Sequence, residues 1–407
     1  MIFLGLLLAT LLAPLRILPG NNRIDIVLIP IAAVGLILTH RSIIPEVLKN
    51  NRYLAIALSL FFAWIWVVVG WSDRPGIAIK YSLLYSIYIL VFCSLFLVNH
   101  SNRHNPKQRK IYHLLIFYFL IALAVFGIIE YFFPDLFIFH ILGSLKYLNH
   151  YPRVSSLVQN PNQFGVLMSL AVALTLCLRQ QHFINPLEFC LGLILPITAD
   201  SLSASRNGWI ILGLAIVLGW FYKLINRKEF LVLILFWLIT LLIFPVSTYR
   251  LGITDNPVFP VMQWVGENQS EVANSIPNPT STALSRTFLW KAAIAETLQH
   301  PFTGIGLGVY AEEVGRRVFG RIGFNAHNIF LNISAETGIT GLLIFNNLLL
   351  AFFGKANLRK AFGGMFLILI LTSQLPDFFI GDPTFTSITL YFIALACNTS
   401  LESENYE

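Results

Sequence analysis

Short polar spacers cut this chain into twelve apolar runs, at residues 2–18, 24–39, 53–71, 77–98, 111–133, 163–178, 187–199, 208–222, 230–246, 328–352, 362–380 and 384–398. A helix needs about 20 apolar residues, or about 17 at the least, to cross a ~30 Å hydrocarbon core. A chain that repeats such runs folds across a bilayer as helices, because a helix satisfies its own backbone groups where water is absent. Composition agrees: 56% of residues are hydrophobic and 12% charged, against roughly 25% charged in a soluble domain. The expected fold is an all-α integral membrane protein with about twelve transmembrane helices and one large outer loop containing short helices. The first run has neither a basic leader nor a small-residue cleavage site and reads as a retained helix.

Lysine and arginine in the loops set the orientation. With the N-terminus in the cytoplasm, the cytoplasmic loops 40–52, 99–110, 179–186, 223–229 and 353–361 hold fourteen of them, and the short outer loops hold six, at Arg16, Arg23, Arg74, Lys146, Arg153 and Arg206. Both termini are then cytoplasmic, and the 79-residue stretch 247–325 lies outside. Four regions follow: N-terminal helices 1–133, central helices 134–246, the outer loop 247–325 and C-terminal helices 326–407. The net charge of +7 is accounted for by cytoplasmic loops facing anionic lipid, not by nucleic acid. Cys93, Cys177, Cys190 and Cys397 all fall inside apolar runs and read as small core residues.

The chain has no phosphate-cradling Gly-x-x-x-x-Gly-Lys-Ser/Thr loop. Gly304-Ile305-Gly306-Leu307-Gly308 lacks the spacing of a dinucleotide fingerprint, and no Asp-x-Asp is present to hold a divalent ion. No cofactor and no metal site is expected. Polar residues concentrate in three outer segments. Arg153 precedes Asn160-Pro161-Asn162, which is also an ordinary helix-entry turn. Ser205-Arg206-Asn207-Gly208 heads a helix, where an arginine serves either as an interfacial anchor or as part of an anion site. In the long loop, Ser285 is the expected cap of a helix from Arg286 to about Gln299, ended by Pro301 and Gly304, with Arg286 in its first turn. Arg316, Arg317 and Arg321 add positive charge, as a solvated face or as a surface that steers lipid phosphates. A Pro/Asn/Ser/Thr-rich stretch, 274–282, is expected to lack fixed structure. His327, between Asn325 and Asn328 at a loop-to-helix junction, is the sharpest candidate, because an imidazole exchanges a proton near neutral pH. Glu336 lies off its helical face and reads as structural. Lys80 and Glu130 fall near helix ends, where snorkelling suffices.

His300-Pro301-Phe302-Thr303-Gly304-Ile305-Gly306-Leu307-Gly308, then Asn325-Ala326-His327-Asn328-Ile329-Phe330-Leu331, then Glu336-Thr337-Gly338-Ile339-Thr340-Gly341-Leu342, resemble the O-antigen ligase and polymerase family of bacterial membrane proteins. Ser205-Arg206-Asn207-Gly208, Ser285-Arg286-Thr287 with Trp290, and Arg153 with Asn160-Pro161-Asn162 extend the likeness over about residues 150–350. The resemblance implies a glycosyltransferase of the bacterial inner membrane, active on the periplasmic face in cell-envelope or lipopolysaccharide synthesis. It would move a glycan from undecaprenyl pyrophosphate to an acceptor hydroxyl on a lipid or glycan, with inversion. Matched by motif, Arg206, Arg286 and His327 are the functional core. Arg153, Asn160, Asn162, Ser205, Asn325, Asn328, Arg316, Arg317 and Arg321 are the surrounding substrate-binding candidates. The alternative function is small-solute transport, whose path would have to use Lys80, Glu130 and Glu336.

Overall fold

In a computed structural model of the protein, residues 2–11, 25–103, 105–133, 136, 153–158, 160–251, 279–314, 316–317, 324–375 and 383–398 are described. Every regular element among them is helical. The first is α1 (Ile2–Leu11), followed by α2 (Asp25–Thr39), α3 (Ile44–Asn50), α4 (Arg52–Val67), α5 (Pro75–Ser101) and α6 (Pro106–Phe132). Then come α7 (Pro161–Gln180), α8 (Pro186–Ser203), α9 (Arg206–Phe221), α10 (Arg227–Ile243), α11 (Pro245–Arg250) and α12 (Pro279–Gln299). The last three are α13 (Ile329–Lys355), α14 (Ala361–Ser373) and α15 (Pro383–Asn398).

A helix occupies part of each of the twelve apolar runs, and among the described residues six helices have the length and hydropathy of a membrane crossing: Arg52–Trp71, Pro75–Ser101, Pro106–Phe132, Pro161–Gln180, Pro186–Ser203 and Ile329–Lys355. A seventh is added if Val27–Thr39 and Arg41–Asn50, bent by 62°, form one span. Segments 206–221, 361–373 and 384–398 are apolar but shorter.

Helix α7 is the axis of the bundle, apolar on all sides and buried along almost its whole length, as expected of a helix with neighbours all around it. Gly165, Ser169, Ala173 and Cys177 recur every fourth residue, giving a small-residue face that admits close neighbours. Against it, Gly208 of α9 lies so near that a Cβ there would stand 2.9 Å from the Gly165 Cα. Ser169 Oγ closes this crossing by donating to the carbonyls of Gly165 and Gly208, at 3.1 and 3.0 Å. On the α8 side, Thr175 Oγ1 donates to Gly192 O at 3.0 Å. Cys177 and Cys397 are buried as expected, whereas Cys190 is exposed on the outside of the bundle.

Two expectations for the long outer loop are corrected. Its helix, α12, begins at Pro279, six residues before Ser285. Proline is well suited to the first helical position, where its missing N–H costs nothing. Ser285 is therefore inside the helix rather than its cap, and Arg286 sits beyond the first turn, so no N-terminal dipole argument applies to it. The helix also covers residues 279–282 of the stretch expected to lack structure; residues 274–278 lie outside the described residues, as do Arg16, Arg23, Lys146 and Arg321.

Candidate functional site

Polar side chains stitch the helix ends together at the end of the bundle where α7, α9 and α13 begin. Asn160 caps α7 by accepting from Asn162 N at 2.9 Å. Ser205 caps α9 by accepting from Gly208 N at 3.0 Å. Asn328 caps α13 by accepting from the amides of Phe330 and Leu331, both at 3.0 Å. Each cap satisfies amides that the first helical turn leaves without a partner.

Arg153 joins the first of these helix starts, that of α7, to the last residue of α8, just before the α9 start. It is 9% exposed; its Nε donates to Ser203 O at 2.8 Å and its Nη2 to Asn162 Oδ1 at 2.6 Å. The backbone around it is held as well, with Val154 N donating to Leu202 O at 3.3 Å. Glu130 supports this segment from α6, accepting from the amides of Ser155 and Ser156 at 3.1 and 2.7 Å. The carboxyl is fully buried, so Glu130 does not snorkel as expected. Two amide bonds on Oε2 offset part of the cost of its burial, while Oε1 is buried without a hydrogen-bond partner.

The last turn of α14 joins the other two helix starts. Asn207 Nδ2 of α9 donates to Ser373 O at 2.9 Å, Ile329 N of α13 to Gln374 O at 3.1 Å, and Asn328 Nδ2 to Leu375 O at 2.9 Å. Three consecutive carbonyls thereby hold the first turns of α9 and α13 side by side. Arg206, exposed, is the first residue of α9. His327, half-buried, immediately precedes the α13 cap with φ +49°. Left-handed backbone is uncommon outside glycine, and residues held there cluster at ligand sites. Ala326 N, one residue before, donates to Asn332 Oδ1 at 3.2 Å, fixing the approach. Asn325 is half-buried beside it.

The feature that sequence reasoning missed is a break in α13. Gly338 has φ +73° and ψ 178°, so the helix stops and restarts there. The segment 301–308 wraps the break: Ile305 N donates to Ala335 O at 3.0 Å, Gly306 N to Glu336 O at 3.0 Å, and Ile339 N to Pro301 O at 2.7 Å. Trp64 Nε1 of α4 takes the Thr337 carbonyl at 3.1 Å. The glycines make this possible. A Cβ on Gly304 would lie 2.3 Å from the Glu336 carbonyl carbon, and one on Gly338 2.4 Å from that of Phe302. The signal was visible as Gly304-x-Gly306-x-Gly308 followed by Gly338, although nothing in the spacing says that the two meet. Glu336 is 2% exposed, with the amides of Gly308 and Tyr310 turned on its carboxyl, which agrees with a structural role.

Helix α12 carries Arg286 to the same region. Leu289 and Ala293 share a small core with Ile305, Tyr310, Ala326 and Ala335, and Tyr310 Oη donates to Leu289 O at 2.5 Å. Arg286, half-buried, lies one turn before Leu289. Arg316 and Arg317 are exposed, and Arg317 is paired with Glu296 of α12. Its charge is committed to that carboxylate. Of the three groups a transport path would use, Glu130 and Glu336 are buried and held by backbone amides, and Lys80, 70% exposed, pairs with Glu312 at 3.2 Å.

Residues 191–346 match the model of the O-antigen ligase family. The matched segment runs from α8 to the middle of α13 and contains Arg206, Arg286, His327 and both glycine clusters, while Arg153, Asn160 and Asn162 precede it. A stretch of 85 residues is 34% identical to the exopolysaccharide production protein ExoQ of Rhizobium meliloti, covering 18% of this chain and 20% of that protein. The chain thus matches about a fifth of the curated relative's length.

Proposed function

We propose that this chain, a member of the O-antigen ligase family through residues 191–346, is a membrane glycosyltransferase that moves a glycan from undecaprenyl pyrophosphate to an acceptor hydroxyl. The observation that carries this reading is the turn at Ser373–Leu375, which sets the first turns of α9 and α13 side by side and so places Arg206 and His327 at one end of the bundle. The acceptor oxygen attacks the anomeric carbon while the bond from that carbon to the pyrophosphate oxygen breaks. The pyrophosphate leaves on its lipid with the negative charge that develops, and the hydroxyl proton passes to His327. Guanidinium groups match phosphate oxygens in a fork geometry, so Arg206 and Arg286 are assigned to the leaving group. In-line attack inverts the anomeric centre.

The outer segments supply arginines and no Asp-x-Asp pair, so the reading has charge stabilisation by guanidinium; transfer that persists in EDTA supports it. The fourteen-to-six distribution of Lys and Arg supports a site on the periplasmic side of a bacterial inner membrane with both termini cytoplasmic. The role named for the relative favours a second lipid-linked unit as acceptor, making a polymerase; attachment to lipid A core is the ligase alternative. Products made from defined donor and acceptor separate the two.

The test uses purified protein with a lipid-linked glycan donor and both acceptors. His327→Ala is expected to lower transfer by about 10²-fold or more while donor binding persists. Transfer at the wild-type level would remove His327 from the mechanism.

A further inference from the structure

The outer-loop helix α12 has two faces, and only one is explained by packing. Leu289, Ala293 and Glu296 turn inward, where Leu289 and Ala293 join the core beside α13. On another face Trp290, Ile294 and Leu298 recur every fourth residue and are 38%, 48% and 73% exposed. Phe302, just past the helix, is 75% exposed. From Trp290 to Leu298 this apolar stripe runs about 12 Å at 1.5 Å per residue.

The hydrogen bonds fix where the stripe points along the bundle. Thr297 Oγ1 donates to Ser334 Oγ at 3.1 Å and Ile339 N to Pro301 O at 2.7 Å, so α12 and the first half of α13 run side by side in the same direction. Because α13 starts at the bundle end and continues into a membrane crossing, α12 descends with it. Its lower end meets the α13 break, where Ile339 N donates to Pro301 O beside Phe302, and Ile339 and Leu343, the next exposed apolar residues of the crossing, are 44% and 63% exposed. Trp64, bonded to the break, and Trp71, 60% exposed at the end of the α4 crossing, stand nearby in the chain. Tryptophans at that level mark a bilayer interface.

We infer that α12 is seated in the bilayer interface, with Trp290, Ile294, Leu298 and Phe302 against lipid and the helix descending from the head groups toward the acyl chains. Its occupant is membrane lipid, because the stripe ends at the break where the exposed apolar residues of the α13 crossing, Ile339 and Leu343, begin. An interfacial helix of this kind is held by its apolar face while its polar side chains reach the head groups. Arg286, toward the upper end, then stands at head-group depth, where a phosphate carried by a lipid arrives from the bilayer side. The seating itself does not depend on the glycan-transfer reading.

The test is spin labelling of the full chain in lipid nanodiscs, in a Cys190→Ser background. Trp290→Cys, Ile294→Cys and Leu298→Cys are labelled one at a time, with Leu343→Cys as the lipid reference and Arg316→Cys as the water reference. The expected result is a ratio of oxygen to nickel-complex collisions that rises from 290 to 298 and reaches the value at 343. A ratio at 298 equal to that at 316 would place the face in water. Exclusion of both reagents would mean that protein covers it, from residues 252–278 or from a second copy. Either result overturns the seating. The Cys190→Ser parent treated with the same label reports background from the remaining cysteines, and a normal melting transition in each variant shows that it is folded.

Discussion

At the lysine- and arginine-rich end of the bundle, the helices are joined largely through charge. Arg179 pairs with Glu229 at 2.5 Å, Arg103 with Glu46 at 3.1 Å, and Lys355 Nζ donates to Asn50 O at 2.8 Å. At the other end ion pairs also form, Lys80 with Glu312 and Arg317 with Glu296, but the starts of α9 and α13 are joined by amides donating to backbone carbonyls, from Asn207, Asn328 and Ile329 to three neighbouring acceptors. The first kind of link is exposed and tolerant: two long side chains find each other across many backbone positions, and such a pair contributes about 0–1 kcal/mol. The second kind is short and directional, so it fixes where one helix start lies relative to another. On the proposed function, precision is needed at this end, where Arg206 and His327 would share a substrate. At the opposite end, holding the helices together is enough.

Breaking the directional end is expected to cost most. Gly304→Ala puts a Cβ 2.3 Å from the Glu336 carbonyl carbon at φ +67°, in backbone that costs about 1–3 kcal/mol for a non-glycine residue before the clash is counted. Transfer and melting temperature should both fall, as measured by activity and by thermal unfolding in detergent. Next in size is Arg153→Ala, which removes two bonds from a guanidinium only 9% exposed. A loss of about 1.5–3 kcal/mol is expected, with weaker transfer; unchanged stability would show that Arg153 does not tie the start of α7 to the end of α8. The smallest effect is expected at the charged end. Arg179→Ala breaks a pair whose side chains are 38% and 30% exposed, so stability should change by less than about 1 kcal/mol and transfer not at all. A large activity loss there would erase the distinction between the two ends.

Much of the site was legible as chemistry but not as geometry. Asn160, Ser205 and Asn328 could be read as helix entries because cap residues act within a few residues of themselves. Gln374 carried only a faint signal, a polar pair with Ser373 at the end of an apolar run, and its carbonyl receives α13 across 45 residues of chain. The α12 start was misplaced because Pro279 and Ser285 are both acceptable beginnings for a helix, and local preference could not choose between them. Glu130 was misjudged because nearness to a helix end does not say which side of the helix faces Ser155 and Ser156.

The sequence by itself determined that this chain crosses a membrane as helices, roughly where those helices lie, and which residues hold the polar chemistry, since hydropathy and capping depend on a residue and its near neighbours. Only the tertiary structure decided that α13 is broken at Gly338, that Gly304 lets backbone approach that break while Gly306 and Gly308 make room for Ser72 and Tyr81, and that one turn of α14 sets Arg206 and His327 on the same end. Those outcomes depend on close approach between segments far apart in the chain, where the absence of a Cβ or the direction of one carbonyl is decisive, and local sequence carries no record of which distant partner it will meet.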